Sequence, residues 1–202
     1  MPKLLLATTN EGKAREYRQL LEGVSYTLVT LTGENINTVM EEGDISMEEN
    51  ARSKAVFYAG SGSLVTLADD SGLEVDALGG EPGIRSARYA GEGASDSDRI
   101  NYLLDRLEGI PWEKRAARFK CVIAIATPEG VLELCDGECR GIIALEPGGG
   151  NGFGYDPVFY LPELGKTMAE IPPELKNQIS HRAIAAKKAH QILKQLEDKV
   201  KA

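Results

Sequence analysis

The chain has 202 residues, 42% of them hydrophobic and 27% charged, which suits one globular domain with a substantial buried core. Its net charge of −8 excludes a sequence-independent nucleic-acid binder, which needs an extended basic face, so a phosphorylated ligand would have to be small and met by local basic groups, backbone N–H groups and a divalent metal. No apolar run approaches transmembrane length, and Met1-Pro2-Lys3-Leu4 leads into a strand pattern rather than a signal peptide, so no membrane role and a cytoplasmic location are expected.

Leu4 to Ala7 reads as a buried strand. Thr8-Thr9-Asn10-Glu11-Gly12-Lys13 then leads into a helix whose apolar face is Ala14, Tyr17, Leu20 and Leu21. A small polar loop at a helix N-terminus offers free N–H groups and the positive end of the helix dipole to an anion, and Lys13 adds a full charge. The glycine spacing is not that of a Walker loop. Ser25 to Leu31 is a second strand. Ser46-Met47-Glu48-Glu49 is a capping box that opens a helix through about Gly60, with Ala51, Ala55, Tyr58 and Ala59 as its apolar stripe and Lys54 expected on a different face.

Leu64 to Leu67 forms a buried strand, and Asp69-Asp70-Ser71-Gly72 is expected at its end. Side chains alternate along a strand, so one carboxylate can face a ligand while the other ties down the backbone, and Gly72 allows a sharp turn. Glu41 and Glu42 precede the intervening helix, so the two acidic points can meet around one metal. Further on, Ile84 to Ala90 is a short helix and Asp96 to Leu107 a longer one, capped by Ser95 or Asp96, with no role beyond packing.

Arg118 to Thr127, the turn Pro128-Glu129-Gly130 and Val131 to Cys139 form a hairpin. Cys121, Cys135 and Cys139 lack zinc spacing and are read as reduced strand residues. Hairpin and strand–helix alternation together predict an α/β fold with a mixed, twisted sheet and flanking helices. The whole chain, 1–202, is expected to be a single domain of two lobes that share the sheet around a central active-site cleft.

Gly148 to Pro157 is the most glycine-dense stretch, and its Phe153 suits a stacked purine, an interaction worth about 1–3 kcal/mol. Pro172-Pro173-Glu174-Leu175-Lys176 starts a helix. Ser180 then caps a terminal helix lined by Ile184, Ala189, Ile192, Leu193, Leu196 and Val200. His181 and Arg182 lie in its first turn, where the dipole disfavours cations, which suggests donors aimed at an acceptor.

These segments together resemble the inosine triphosphate pyrophosphatase family. The likeness runs in order through Thr8-Thr9-Asn10 with Lys13, Glu41 before Glu49-Asn50-Ala51 and Lys54, and Ala68-Asp69-Asp70-Ser71-Gly72-Leu73. It continues through Pro82-Gly83, Ser86-Ala87-Arg88-Tyr89, Gly152-Phe153-Gly154-Tyr155-Asp156-Pro157 and Ser180-His181-Arg182. Thr9 departs from the glycine that many members carry.

The resemblance implies a homodimer, a Mg²⁺-dependent site, and cleavage of ITP, dITP or XTP between the α and β phosphates to give the monophosphate and pyrophosphate. It implies Glu41 and Asp70 as metal ligands, with Asp70 also accepting the proton of the attacking water. Thr8, Thr9, Asn10, Lys13 and Lys54 would bind the triphosphate. Ser71, Phe153, Gly154, Tyr155, Asp156, Lys176, His181 and Arg182 would hold the nucleoside. Two other readings of the same residues are a purine nucleotide-binding module without chemistry and a related pyrophosphatase for modified pyrimidine nucleotides. Retention of both acidic points argues against the first, and Phe153 with His181-Arg182 against the second.

Overall fold

A computed structural model describes residues 1–38, 40 and 43–201. In chain order it contains β1 (Lys3–Leu6), α1 (Glu11–Leu20), β2 (Thr27–Thr30), α2 (Met47–Gly62), β3 (Val65–Val75), α3 (Asp96–Arg106), β4 (Ala116–Ala126) and β5 (Leu132–Ile143). These are followed by β6 (Phe159–Leu161), β7 (Lys166–Thr167), α4 (Pro173–Ile179) and α5 (His181–Lys201). The strands form one sheet in the order β2-β1-β3-β4-β5-β6-β7. β1 runs parallel to β2 and β3, while β6 is antiparallel to β5 and β7, so the expected mixed α/β sheet is present.

The chain divides into two compact units. The first comprises Met1–Asp70, Cys121–Gly137 and Arg182–Ala202, and the second Ser71–Lys120 and Glu138–His181.

In the first unit, strand alternation feeds two cores. Leu4 and Leu6 of β1, Leu67 of β3 and Cys121, Ile123 and Ile125 of β4 pack with Tyr17 of α1 and Ala185, Ala189 and Leu193 of α5. Leu5, Ala68, Ala124 and Ala126 join Ala51, Ala55, Tyr58 and Ala59 of α2 in the other core. Period-2 strands that are apolar on both faces must be covered twice, and the helices supply both covers. In the second unit Leu73, Val75, Phe119, Ile143 and Phe159 of the strands bury against Ile100 and Leu103 of α3.

Several boundaries and faces depart from the sequence reading. β3 does not end before the aspartates; it runs to Val75 and carries Asp69, Asp70, Ser71 and Gly72 as strand residues. The polar groups are paired inside the protein and need no exit to water, so the run mimics a turn without being one. Lys54 lies on the buried face of α2 with Asn50, Ala51, Ala55 and Tyr58, rather than on a different one. On α5, Ile184 is exposed and Ala185 and Ala186 take the inward places. β2 is shorter than expected and β5 longer. α2 extends to Gly62, where Ser63 in the left-handed region ends it. The segment at 84–90 is a 3₁₀ helix over Gly83–Arg88. All three cysteines are free and buried.

Candidate active site

The first unit concentrates charge around β3. Thr8 and Asn10 shape the loop that follows β1: Asn10 N–H donates to Thr8 Oγ1 at 3.1 Å, and Lys13 N–H donates to Asn10 Oδ1 at 3.0 Å. Asn10 thus caps α1 and sets the start of the turn that carries Lys13. Thr9 is exposed beside them.

Asp69 and Asp70 point to opposite faces of β3, as neighbours on a strand must. Asp69 faces α1 and α5. Its Oδ1 accepts from Lys13 Nζ at 3.0 Å, and its Oδ2 accepts from Arg182 Nε and Nη2, both at 3.3 Å. Arg182 Nη1 donates to Glu16 Oε2 at 2.7 Å. Burial by itself would raise the Asp69 pKa, but Lys13, Arg182 and Lys54 outweigh it and hold the carboxyl well below the usual range. Burial likewise opposes charge on Arg182, and Asp69 and Glu16 overcome it. The Cys121 thiol, in the same pocket of charge, is pushed up to about 12 by burial and then by Asp69.

Asp70 faces α2. Its Oδ2 accepts from Asn50 Nδ2 at 3.0 Å, and Lys54 Nζ stands 3.9 Å from its Oδ1. Lys54 Nζ also donates to the Asp69 carbonyl oxygen at 2.7 Å. Asn50 bridges further, donating to Gly43 O and accepting from Gly43 N–H, each at 3.0 Å. Both Asp70 and Lys54 are buried. An oxygen donor set built on one such carboxylate suits Mg²⁺, which is commonly held by one or two carboxylates plus substrate phosphates. Among the described residues no group of three or more His, Cys, Asp or Glu side chains clusters for a metal. Glu41 and Glu42 lie outside the described residues.

The second unit holds the glycine-rich loop. Asp156 Oδ2 accepts from Phe153 N–H at 2.9 Å and from Lys176 Nζ, whose ammonium stands 4.9 Å from the Phe153 ring centroid. Tyr155 is buried and its hydroxyl donates to Ser86 O at 2.9 Å. Gly154 N–H donates to Asp96 Oδ2 at 2.7 Å. His181 is buried and stacks on Phe119, with ring centroids 4.7 Å apart and planes 17° from parallel. Ser71 is half-buried on β3. A cavity of about 550 Å³ in this unit is lined by Cys139, Leu161, Leu164, Leu175 and Ile179 and includes none of the predicted site residues.

Gly152 sits at φ +77°, and a Cβ there would collide with the Asp156 carboxylate. Gly152→Ala is therefore expected to lower stability by about 1–3 kcal/mol, read as a drop in the urea midpoint. An unchanged midpoint would mean that the loop does not depend on this approach.

Within the first unit the structure brings together Lys13, Lys54, Asp69, Asp70 and Arg182, and within the second Phe153, Asp156 and Lys176. Sequence reasoning missed Glu16, the second carboxylate on Arg182, and Asp96, the acceptor for the loop. It quoted Asn50 without a role. Glu16 gave one usable signal: it stands three residues after Lys13, hence on the same side of α1.

The model of the Ham1 family matches residues 4–192. A dITP/XTP pyrophosphatase of Desulforamulus reducens is 48% identical over 194 residues, 96% of each chain, and one of Geobacter sulfurreducens is 47% identical over 192 residues, 94% of this chain and 96% of that one. A solved HAM1 protein from Coxiella burnetii is 40% identical and superposes with a TM-score of 0.86 over 96% of this chain and all of its own. With agreement over nearly its whole length in both sequence and fold, this chain belongs to the Ham1 family.

Proposed function

We propose that the protein hydrolyses deaminated purine nucleoside triphosphates, namely ITP, dITP and XTP, to the monophosphate and pyrophosphate. The observation that carries this reading is 47–48% identity over nearly the whole chain to dITP/XTP pyrophosphatases, in a chain that carries the split Asp69-Asp70 pair with its lysines.

Lys13, Lys54 and the loop Thr8-Thr9-Asn10 receive the triphosphate and offset the charge that builds on it as the bond breaks. Asp70 would hold Mg²⁺, with Glu41 as its second carboxylate. When bound, that ion lowers the pKa of the attacking water and screens the phosphates. Asp70 also takes the proton as the water attacks. A free carboxylate with a pKa of about 3.9 is a weak base at neutral pH, so what Asp70 contributes to the proton transfer is its fixed orientation towards the water. Asn50 keeps one Asp70 oxygen fixed.

In the second unit Phe153 stacks on the base, Lys176 stands over the same ring, and Ser71, Gly154, Tyr155 and Asp156 complete the nucleoside contacts. His181 supplies a donor to the 6-keto oxygen of hypoxanthine or xanthine, while Arg182, buried with Nε and Nη2 on Asp69 and Nη1 on Glu16, acts by holding Asp69. Adenine offers an amino group there and leaves donors unpaired, a mismatch that can discriminate by about 10⁴–10⁵. The active species is a homodimer working in the cytoplasm.

Pyrophosphate release from ITP, XTP, dITP, GTP and ATP, with and without Mg²⁺, tests the reading. Turnover of ITP and XTP that requires Mg²⁺ and far exceeds that of ATP is expected. No release from ITP or XTP would overturn it.

A further inference from the structure

We propose that Asp96 is a positioning residue for nucleotide binding: it fixes the backbone on which Phe153 is carried, although it lies 58 positions from Gly154, whose N–H it accepts from. The inference rests on the reading of Phe153 as the base platform.

A ring at the end of one Cα–Cβ bond points wherever the two flanking peptide planes send it. The plane before Phe153 is held through its N–H by Asp156 Oδ2 at 2.9 Å. The plane after it carries the Gly154 N–H, and that group donates to Asp96 Oδ2 at 2.7 Å. The two carboxylates therefore restrain φ and ψ of Phe153 respectively. Gly154 itself has φ +62°, so the chain at this point has no regular structure of its own to supply the restraint.

Asp96 is in turn held firmly. It is the first residue of α3 and lies within a capping box in which the Ser95 and Asp98 side chains each accept from the other's backbone N–H. Its Oδ1 accepts from Arg99 Nη2, and Arg99 Nη1 donates to Ala87 O at 2.9 Å and Ala94 O at 2.8 Å. Ala87 follows Ser86, whose carbonyl oxygen accepts from the Tyr155 hydroxyl. Residues 153, 154 and 155 are thus each tied by a separate bond, and two of those bonds lead to the 86–99 segment. Asp96 links the start of α3 to the platform by a charge-assisted hydrogen bond, stronger than the neutral bonds around it.

Steady-state kinetics with ITP, inhibition by inorganic tripolyphosphate and thermal melting would be compared for the wild type, Asp96→Ala, Asp96→Asn and Phe153→Ala. Loss of a hydrogen bond to a charged group predicts that Asp96→Ala raises KM for ITP about tenfold, with kcat within about threefold of wild type. Its inhibition constant for tripolyphosphate, which has no base, should not move. Asp96→Asn retains an acceptor oxygen and should recover most of the KM. An unchanged KM in Asp96→Ala would overturn the proposal, as would an equal loss of ITP and tripolyphosphate affinity, or an Asn variant no better than Ala. Phe153→Ala separates the premises. A normal KM there would remove the base platform itself, whereas a raised KM there with a normal one in Asp96→Ala would remove only Asp96.

Discussion

Asp70→Asn is expected to lower kcat for ITP by about 10²–10⁴ while nucleotide affinity stays within a few-fold of wild type. The amide matches the carboxylate in shape and can still accept the Asn50 hydrogen bond, so the backbone of β3 and the position of α2 should be unaffected. What disappears is the negative charge beside Lys54 and the ability to take up a proton. Single-turnover pyrophosphate release separates this from slow product loss, and calorimetric titration with ITP reports the affinity. A variant that turned over within about threefold of wild type would remove Asp70 as the base.

Asp69→Asn should damage the fold rather than the chemical step. The carboxylate is buried between Lys13 and Arg182, and its loss leaves two cations facing an uncharged amide with little water to solvate them. Breaking one side of a buried ion pair costs about 3–5 kcal/mol, or a fall in melting temperature of about 10 °C for a chain of this length. Glu16 still pairs with Arg182, so the lower end of the range applies.

The sign with pH follows from linkage. Because the folded Asp69 pKa is depressed, its stabilisation is complete above the unfolded value of about 3.9 and drains away as pH falls through the folded value. The stability gap between wild type and Asp69→Asn should therefore be constant from pH 5 upwards and narrow below about pH 4. Urea titrations at a series of pH values would show this, and a gap independent of pH down to 3 would mean that the ion cluster contributes nothing to folding.

Local signals in the sequence identified much of this architecture. A polar loop after Leu4-Leu5-Leu6 announced the turn that carries Lys13, and Ser46 and Ser95 announced two helix starts, because each is set by chemistry within a few residues; Gly152 likewise meets Asp156 four places on, whereas Gly149 packs against the distant Ala169. What stayed hidden depended on partners far along the chain. Asp69-Asp70-Ser71-Gly72 has the composition of a turn, and Lys13, Asn50, Lys54 and Arg182 make it tolerable inside a strand. Lys54 stands three residues after Ala51 and so on the buried face, where the Asp69 carbonyl and Asp70 receive its charge. Asp96 looked like part of a cap, and nothing near it in sequence reveals an N–H at Gly154.

The opposed aspartates also bear on how the chain finds its fold. Strands that are greasy on both sides, like β1, pair almost as well after sliding by one residue, because either face offers oil to oil. In β3 a slide that brought Asp70 into the place beside Lys13 and Arg182 would turn Asp69 towards the alanines of α2 and leave Asn50 and Lys54 without their carboxylate. The two charges act as a key cut on both edges. They penalise a one-residue misalignment of the strand at the centre of the first unit, so Asp70, proposed for chemistry, joins Asp69 in proofreading the sheet.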